Sequence, residues 1–233
     1  MKKQIIFSKD GRLRFVGHLD MMRTMQRAMT RAGIKLSYSQ GFNPHPHMSF
    51  ASPLALGASG ENEIMEIRIE NEMSDREIFE NLSRELPNGL HVKAVRTIPD
   101  TQSAIMSLVK VNEYRIVFPK DLPMKAILDQ LLSQDAIMLK KLGKVKGRKQ
   151  LIDVDVKPLI HQVVWEDDHT LLLQCEGGSE TNLKPELLLT KMYQEAGCEE
   201  RQHEETICRT RMFGRSEEGL VDYSDYRLWE CHE

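Results

Sequence analysis

The strongest constraint on the fold is an order of strand and helix patterns that occurs twice along the chain. In residues 1–98, the two-residue alternation typical of strands and the three-to-four-residue spacing typical of helices follow in the order strand, helix, two strands, helix, strand. The same order returns in residues 111–213. The sequence therefore predicts two tandem α+β units with antiparallel sheets.

The β-α-β-β-α-β order is the ferredoxin-like, or split-βαβ, pattern. We predict a first ferredoxin-like domain at 1–98, a polar linker at 99–110 and a second ferredoxin-like domain at 111–213. The remaining residues, 214–233, lose the pattern and are rich in acidic side chains, which predicts a mobile acidic tail. The two passes share element order without recognisable sequence similarity.

Local signals set the limits of several elements. A helical apolar pattern covers residues 18–32 and stops at the glycine that follows. Ser74 and Glu77 form the capping-box pattern at the start of a second helix. We also predict a strand at 12–16 and a last strand at 201–213.

Cysteine spacing and hydropathy exclude several classes of protein. The four cysteines, at 175, 198, 208 and 231, form none of the local pairs typical of zinc, redox or cluster motifs. No segment approaches the roughly 18 apolar residues of a membrane helix, and the N-terminus lacks the apolar stretch of a signal peptide. We therefore expect a cytoplasmic protein without cofactor, metal or membrane contact.

Charge is distributed in blocks although the net charge is only −3. Residues 1–50 hold nine Lys or Arg against two Asp or Glu, and residues 101–150 hold ten against four. These basic blocks fall in the first half of each predicted unit, which indicates an anionic partner. If folding interleaves basic and acidic blocks, the same sequence gives an ordinary mixed surface.

The densest basic segment is 140–149, with six cations among ten residues and no acid. We expect a loop, kept flexible by Gly143 and Gly147, that contacts the phosphates of RNA. The alternative is a hairpin tip with solubilising lysines. The cations are Lys140, Lys141, Lys144, Lys146, Arg148 and Lys149.

A second group of candidates surrounds the first predicted helix. Its arginines suit contacts to phosphate, and its aromatic side chains suit stacking on bases. A solvated helix face and a stiff loop packed on the sheet give the same patterns, so both interpretations stay open. The candidates for contact with RNA or a partner are Arg12, Arg14, Arg23, Arg27, Arg31, Tyr38, Phe42 and His47.

Two histidines are candidates for general acid–base chemistry. His18 lies at the predicted start of the first helix, and His45 lies in a loop stiffened by prolines. Packing or capping explains either residue equally simply. His45 and His47 flank one proline but lack a third ligand nearby, so we predict no metal site.

The segment Arg-Leu-Arg-Phe-Val-Gly-His-Leu-Asp at 12–20, followed by Tyr-Ser-Gln-Gly-Phe-Asn-Pro-His-Pro at 38–46, resembles an uncharacterised bacterial family. It is the family of radical-SAM-linked proteins, a domain of unknown function. The resemblance covers most of residues 1–210. It implies association, through gene neighbourhood or fusion, with a radical S-adenosylmethionine (SAM) enzyme, and it implies no activity for this domain.

The tandem element order is also similar to that of CRISPR repeat-processing endoribonucleases and of one class of tRNA pseudouridine synthases. The synthases need an Arg-Thr-Asp-Ala-Gly-like catalytic run, which this chain lacks. Radical SAM enzymes need three closely spaced cysteines, which are also absent, so any radical chemistry must belong to another chain.

We therefore expect an accessory RNA-associated binding module that acts with a radical SAM enzyme and is itself non-catalytic. One alternative is a metal-independent endoribonuclease that uses His18 or His45. The other is a protein–protein adaptor whose acidic second half and tail meet the partner.

Overall fold

The structure is a computed structural model that describes residues 1–145 and 148–229. Within these residues no helix is long and apolar enough to cross a membrane. The helices are α1 (His18–Arg31), α2 (Asp75–Glu85), α3 (Ile105–Leu108), α4 (Met124–Ser133) and α5 (Pro185–Glu195). The strands are β1 (Lys2–Lys9), β2 (Met48–Phe50), β3 (Ser59–Arg68), β4 (Leu90–Ile98), β5 (Val111–Val117), β6 (Met138–Val145), β7 (Arg148–Asp155), β8 (Ile160–Trp165), β9 (Thr170–Glu176), β10 (Thr206–Ser216) and β11 (Gly219–Asp222). The chain is thus a mixed α+β protein whose strands pair mostly antiparallel.

The chain divides into two compact units. The first consists of residues 1–112 together with the chain from Cys208 onward, and the second consists of 113–207. This division differs from the predicted one because β10 returns the chain to the first unit. There Cys208 and Arg209 pair in parallel with Ser59 and Gly60 of β3.

The first unit is built on a sheet with the strand order β4-β1-β3-β10, to which β2 adds beside β3 and β11 beside β10. The central strand β1 is antiparallel to both of its neighbours, β3 and β4. Strand alternation sends successive side chains to opposite faces, so the sheet has two apolar sides. The core on the helical side includes Ile5, Phe7, Met25, Met65, Ile67 and Ile78. The core on the other side includes Ile6, Ile64, Ile105, Val109 and Met212.

Helix α1 confirms its sequence prediction. Met21, Met25 and Met29 recur every four residues and are buried against the sheet. Gly33 follows the helix at φ 73°, a left-handed conformation that side-chain-bearing residues rarely adopt. The amide of Ile34 then donates to the Met29 carbonyl at 2.9 Å, which closes the helix end.

Helix α2 begins with the predicted capping box. The Ser74 hydroxyl accepts from the Glu77 amide at 3.2 Å, and the Ser74 amide donates to the Glu77 carboxylate at 2.8 Å. Two amides at the helix start are therefore satisfied locally, as the spacing of these two residues predicts.

In the second unit, β5, β9 and β8 lie side by side, and β8 is antiparallel to β9. Helices α4 and α5 bury their apolar positions in one core that includes Ile116, Leu128, Leu173, Leu188 and Met192. Strands β6 and β7 form a separate two-stranded antiparallel sheet.

Three stretches differ from the structure that the sequence predicts. Residues 12–16, predicted as a strand, lie largely in a 3-10 helix, Gly11–Phe15, because Gly11 at φ 55° turns the chain away from β1. The basic segment 140–149, predicted as a loop, instead continues the pairing of β6 and β7 as far as Val145 opposite Arg148. The last long strand begins at Thr206, after a 3-10 turn, rather than at 201.

The segments predicted as linker and tail belong to the first unit, and each has residues packed in its core. Segment 99–110 contains α3, whose Ile105 is fully buried. Segment 214–229 completes β10, forms β11 and ends in a 3-10 turn. Tyr223, Tyr226 and Trp229 pack against the same core as Ile105.

Candidate functional site

The exposed side of α1 carries part of the predicted contact surface. Arg23 lies three or four residues from each of Leu19, Gln26 and Arg27. These four side chains therefore share the helix face opposite the buried methionines. Arg23 pairs with Asp20 at 3.0 Å. Gln26 donates to the Tyr38 hydroxyl at 3.2 Å, which places Tyr38 beside this face.

The predicted arginines differ in what they contact. Arg31 donates to the carboxylate of Glu85 at 2.8 Å and to its carbonyl at 2.7 Å, so it fastens α1 to α2. Arg12, Arg14 and Arg27 have no ion-pair partner among the described residues. These three cations can therefore accept an external anion without breaking an internal pair.

Arg14 and three exposed apolar side chains form a cluster at the start of α1. The guanidinium of Arg14 lies 4.7 Å from the centre of the Phe15 ring, a cation–π contact. The Gly57 amide donates to the Arg14 carbonyl at 2.8 Å, which brings Leu56 next to this segment. Phe15, Leu19 and Leu56 are all more than half exposed.

The loop that follows α1 holds a fully exposed aromatic side chain. The Ser39 amide donates to the His45 carbonyl at 2.8 Å, and the Ser39 hydroxyl accepts from the His45 amide at 2.9 Å. These bonds close the loop on itself, and Phe42 at its tip contacts solvent on every side. His47 makes a hydrogen bond of 2.9 Å between its Nδ1 and the Ser37 hydroxyl.

The predicted basic cluster lies on the β6–β7 hairpin, in the second unit. The backbone register sets Lys140 opposite Asp153 and Lys144 opposite Lys149. Lys140 is exposed, and an open groove of about 440 Å³ runs between the base of the hairpin and α5. Lys146 lies outside the described residues, as do the side chains of Lys141, Lys144, Arg148 and Lys149.

Sequence reasoning missed a buried ionic cluster in the first unit. Lys9, Glu63 and Arg209 are 4%, 4% and 1% exposed. The Arg209 guanidinium binds both carboxylate oxygens of Glu63, through Nε at 2.9 Å and through Nη2, and Nη2 also donates to the Ser52 carbonyl at 2.8 Å. Any side chain at Gly60 would collide with Glu63, so this glycine makes room for the carboxylate.

One signal in the sequence pointed to this cluster. Glu63 continues the two-residue alternation of Met65 and Ile67, so it had to face the helical core as a charge. A charge on the buried side of a strand requires a partner. Arg209, however, lies 146 residues away in sequence, which no local pattern reveals.

A small cavity adjoins the cluster at the start of α1. Its walls include Phe7, Lys9, His18, Phe50 and Glu63, and its volume is about 20 Å³. His18 is exposed and borders the opening of the cavity. Its ring packs edge-on against that of Phe50, with the ring centres 5.5 Å apart. Burial lowers the pKa of Lys9, the Glu63 carboxylate acts against this shift, and the Arg209 guanidinium adds to it.

The three candidate histidines have distinct surroundings. His18 borders the cavity, whereas His45 and His47 belong to the loop beyond α1. Among the residues that the structure describes, no three potential metal ligands form a cluster.

The fold and these surfaces define a mixed α+β protein with an exposed arginine-rich and aromatic face and a buried ionic cluster. The chain belongs to a family described as "Uncharacterized protein conserved in bacteria (DUF2344)", whose model matches residues 2–185. No curated protein matches the chain. Among solved structures, it is similar to one described as "Crystal Structure of an Unknown Protein from Galdieria sulphuraria", with 11% identity over 94% of this chain and 98% of that chain and a TM-score of 0.27.

Proposed function

We propose that the chain is an RNA-associated binding module that acts with a radical SAM enzyme and leaves the chemistry to that partner. The observation that carries the proposal is the surface beside α1, where Arg12, Arg14 and Arg27 have no ion-pair partner within the described chain and Phe15 and Phe42 are exposed. Proteins that hold single-stranded RNA combine cations along the backbone with aromatic side chains on which bases stack.

The β6–β7 hairpin is the second proposed contact. Hairpins rich in Lys and Arg supply the sequence-independent, counterion-releasing part of nucleic-acid affinity. Its cations and the surface beside α1 belong to different units, and each is tested by itself.

The partner and the location belong to the same proposal. Association with a radical SAM enzyme is supported by the resemblance of residues 12–20 and 38–46 alone, and we propose that the complex is cytoplasmic. Recovery of this chain from native bacterial lysate without any radical SAM enzyme would contradict the proposed association.

We also propose that both units are ferredoxin-like. In the first, the strand order β4-β1-β3-β2 supports this assignment. In the second, it is supported by the order β5-β9-β8 and by the positions of α4 and α5 in the chain.

The experiment is a salt titration of a labelled single-stranded RNA, read by fluorescence anisotropy. Arg27→Gln should flatten the slope of log affinity against log salt by about 0.7, because one phosphate is no longer neutralised. Arg31→Gln is the matched control, since Arg31 already binds Glu85 and should leave the slope unchanged.

A second pair of variants separates stacking from charge. Phe42→Ala should weaken binding about five- to a hundredfold with the slope unchanged, because stacking releases no counterions. Joint replacement of Lys144, Lys146, Arg148 and Lys149 with Ser should flatten the slope by about 0.7 for each phosphate that the hairpin no longer neutralises. Wild-type affinity no higher than that for a neutral polymer at low salt would refute the RNA proposal.

A protein–protein adaptor is the second candidate function. The observation in its favour is the exposed apolar group of Phe15, Leu19 and Leu56, since such groups mark interaction sites. Failure to bind RNA, together with capture of a partner protein that Leu19→Asp abolishes, would favour the adaptor. Cleavage of the labelled RNA that His18→Ala or His45→Ala removes would instead favour an endoribonuclease.

A further inference from the structure

The first unit contains two buried lysines whose surroundings are unequal. An ammonium group has three N–H donors, and burial makes each unused donor costly. Lys3 donates to the Met73 carbonyl at 2.9 Å, to Asp75 at 2.7 Å and to the Thr97 hydroxyl at 2.7 Å. Its hydrogen-bonding capacity is therefore filled.

Lys9 is buried to a similar degree but has far fewer acceptors. Within the part of the chain that the structure describes, its ammonium donates to one group, the Val16 carbonyl at 3.0 Å. Up to two donors remain, and the lysine side chain forms part of the cavity wall. The cavity is thus the place from which further acceptors can come.

The charge of the cluster leads to the same conclusion. Glu63 and Arg209 bind each other through two parallel hydrogen bonds, so their charges cancel locally. Lys9 is a further buried cation beside this pair, and it forms no ion pair of its own among the described residues. A buried cation is favourable only when it is well paired, and an anion at the cavity would supply a direct partner.

The size of the cavity limits what enters it. A volume of about 20 Å³ holds one water-sized group, such as a single oxygen. A larger group must therefore stay at the mouth, where His18 is exposed. His18 can donate to a second oxygen of the same ligand there.

We propose that this cavity binds one oxyanion group, a phosphate or a carboxylate, with one oxygen on the Lys9 ammonium and another at His18. The proposal is independent of RNA binding by the surface beside α1, because it concerns a separate pocket that admits a single oxygen. The anionic group can belong to a small molecule or to the end of a polynucleotide.

The test is calorimetric titration of the full chain with phosphate, acetate and a nucleoside monophosphate, each at constant ionic strength in chloride. At least one oxyanion should bind with a Kd that Lys9→Met raises about tenfold or more, because a charge-assisted hydrogen bond is removed. Lys35→Met is the matched control: it removes the same charge from an exposed position and should leave the Kd unchanged. His18→Ala should raise the Kd by a smaller factor.

The three titrants separate the sources of the anion. Binding of phosphate and acetate indicates any small oxyanion, and binding of the monophosphate alone indicates a nucleotide end. Because a substitution at a buried lysine can prevent folding, lysine acetylation of wild type, read by mass spectrometry, gives a second measure: phosphate should slow the labelling of Lys9 and leave Lys35 unaffected. Equal Kd values in wild type and Lys9→Met, or absence of binding with no protection of Lys9, would overturn the proposal.

Discussion

At the scale of single residues, Glu63 and Arg209 form an ion pair in which both side chains are almost fully buried. Two charges are taken out of water here, and the cost is offset only while both partners are present. The pair also joins β3 to β10, which enters from the far end of the chain. It therefore adds to the backbone pairing that holds β10 beside β3.

We predict that Glu63→Gln lowers the free energy of unfolding by about 3 kcal/mol, because it removes the charge of the carboxylate that binds the buried Arg209 through two hydrogen bonds. Urea denaturation measures the change. The matched control is Glu80→Gln, which breaks an exposed pair with Arg76 and should cost less than about 1 kcal/mol. Equal losses of unfolding free energy in both variants would show that the buried pair stabilises the fold no more than an exposed pair does.

Residue-scale features were also the hardest to predict from the sequence. The strand alternation through Glu63 and Met65 indicates a buried charge, but the identity of the partner depends on contacts between distant parts of the chain. The same holds for Arg31, whose helical spacing suggests a place in the contact surface. Its partner Glu85 lies on another helix, and periodicity within α1 cannot show that.

At the scale of elements, α2 is fixed to the sheet by its first residue. The Asp75 carboxylate accepts from the Lys3 ammonium of β1 at 2.7 Å and from the Thr97 amide of β4 at 2.9 Å. Burial opposes the ionisation of Asp75, but hydrogen bonds from Lys3 and Thr97 outweigh it and hold the pKa of Asp75 below its usual value.

This depressed pKa predicts a pH-dependent stability. The folded state binds the Asp75 proton less tightly than the unfolded state, so the stabilisation is complete above the unfolded pKa and is lost as pH falls through the folded pKa. Asp75→Asn should therefore destabilise the protein more at pH 7 than at about pH 3, because pH 3 lies below the ordinary carboxyl pKa and part of the stabilisation is already lost there. Urea midpoints across this range measure the difference.

Glu72→Gln serves as the control for that series, because Glu72 is exposed and close in sequence. Its effect should be small at both pH values. If Asp75→Asn shows the same loss at pH 7 and pH 3, the carboxylate does not contribute through its charge, and the linkage argument is wrong.

Elements with strong local signals were predictable, and those set by pairing were not. The capping box at Ser74 and the left-handed Gly33 are short-range features, and the structure has both. The extent of β6 and β7 depends on continued pairing of one strand with the other. Glycine and lysine content alone suggests a loop there, since it carries no information on pairing.

At the scale of the whole molecule, the first and last parts of the chain belong to the same unit. Tyr223, Tyr226 and Trp229 pack on the sheet face opposite α1 and α2, and the Arg96 guanidinium lies 4.1 Å from the centre of the Trp229 ring. Composition alone predicts a mobile tail because segment 214–229 is acidic. Its three aromatic side chains nevertheless pack against an apolar core, which offsets part of the entropy cost of ordering the segment.

We predict that Trp229→Ala lowers the free energy of unfolding by about 2 kcal/mol. The substitution removes the cation–π interaction with Arg96 and the packing on the first unit's core around Ile105. It should also speed proteolysis within 217–228, because the segment is no longer held. Leu228→Ala is the matched control, since the neighbouring Leu228 is exposed. It should change neither the unfolding midpoint nor the rate of cleavage. Equal proteolysis of wild type and Trp229→Ala would mean that Trp229 does not hold the segment, and the prediction of a mobile tail would then stand.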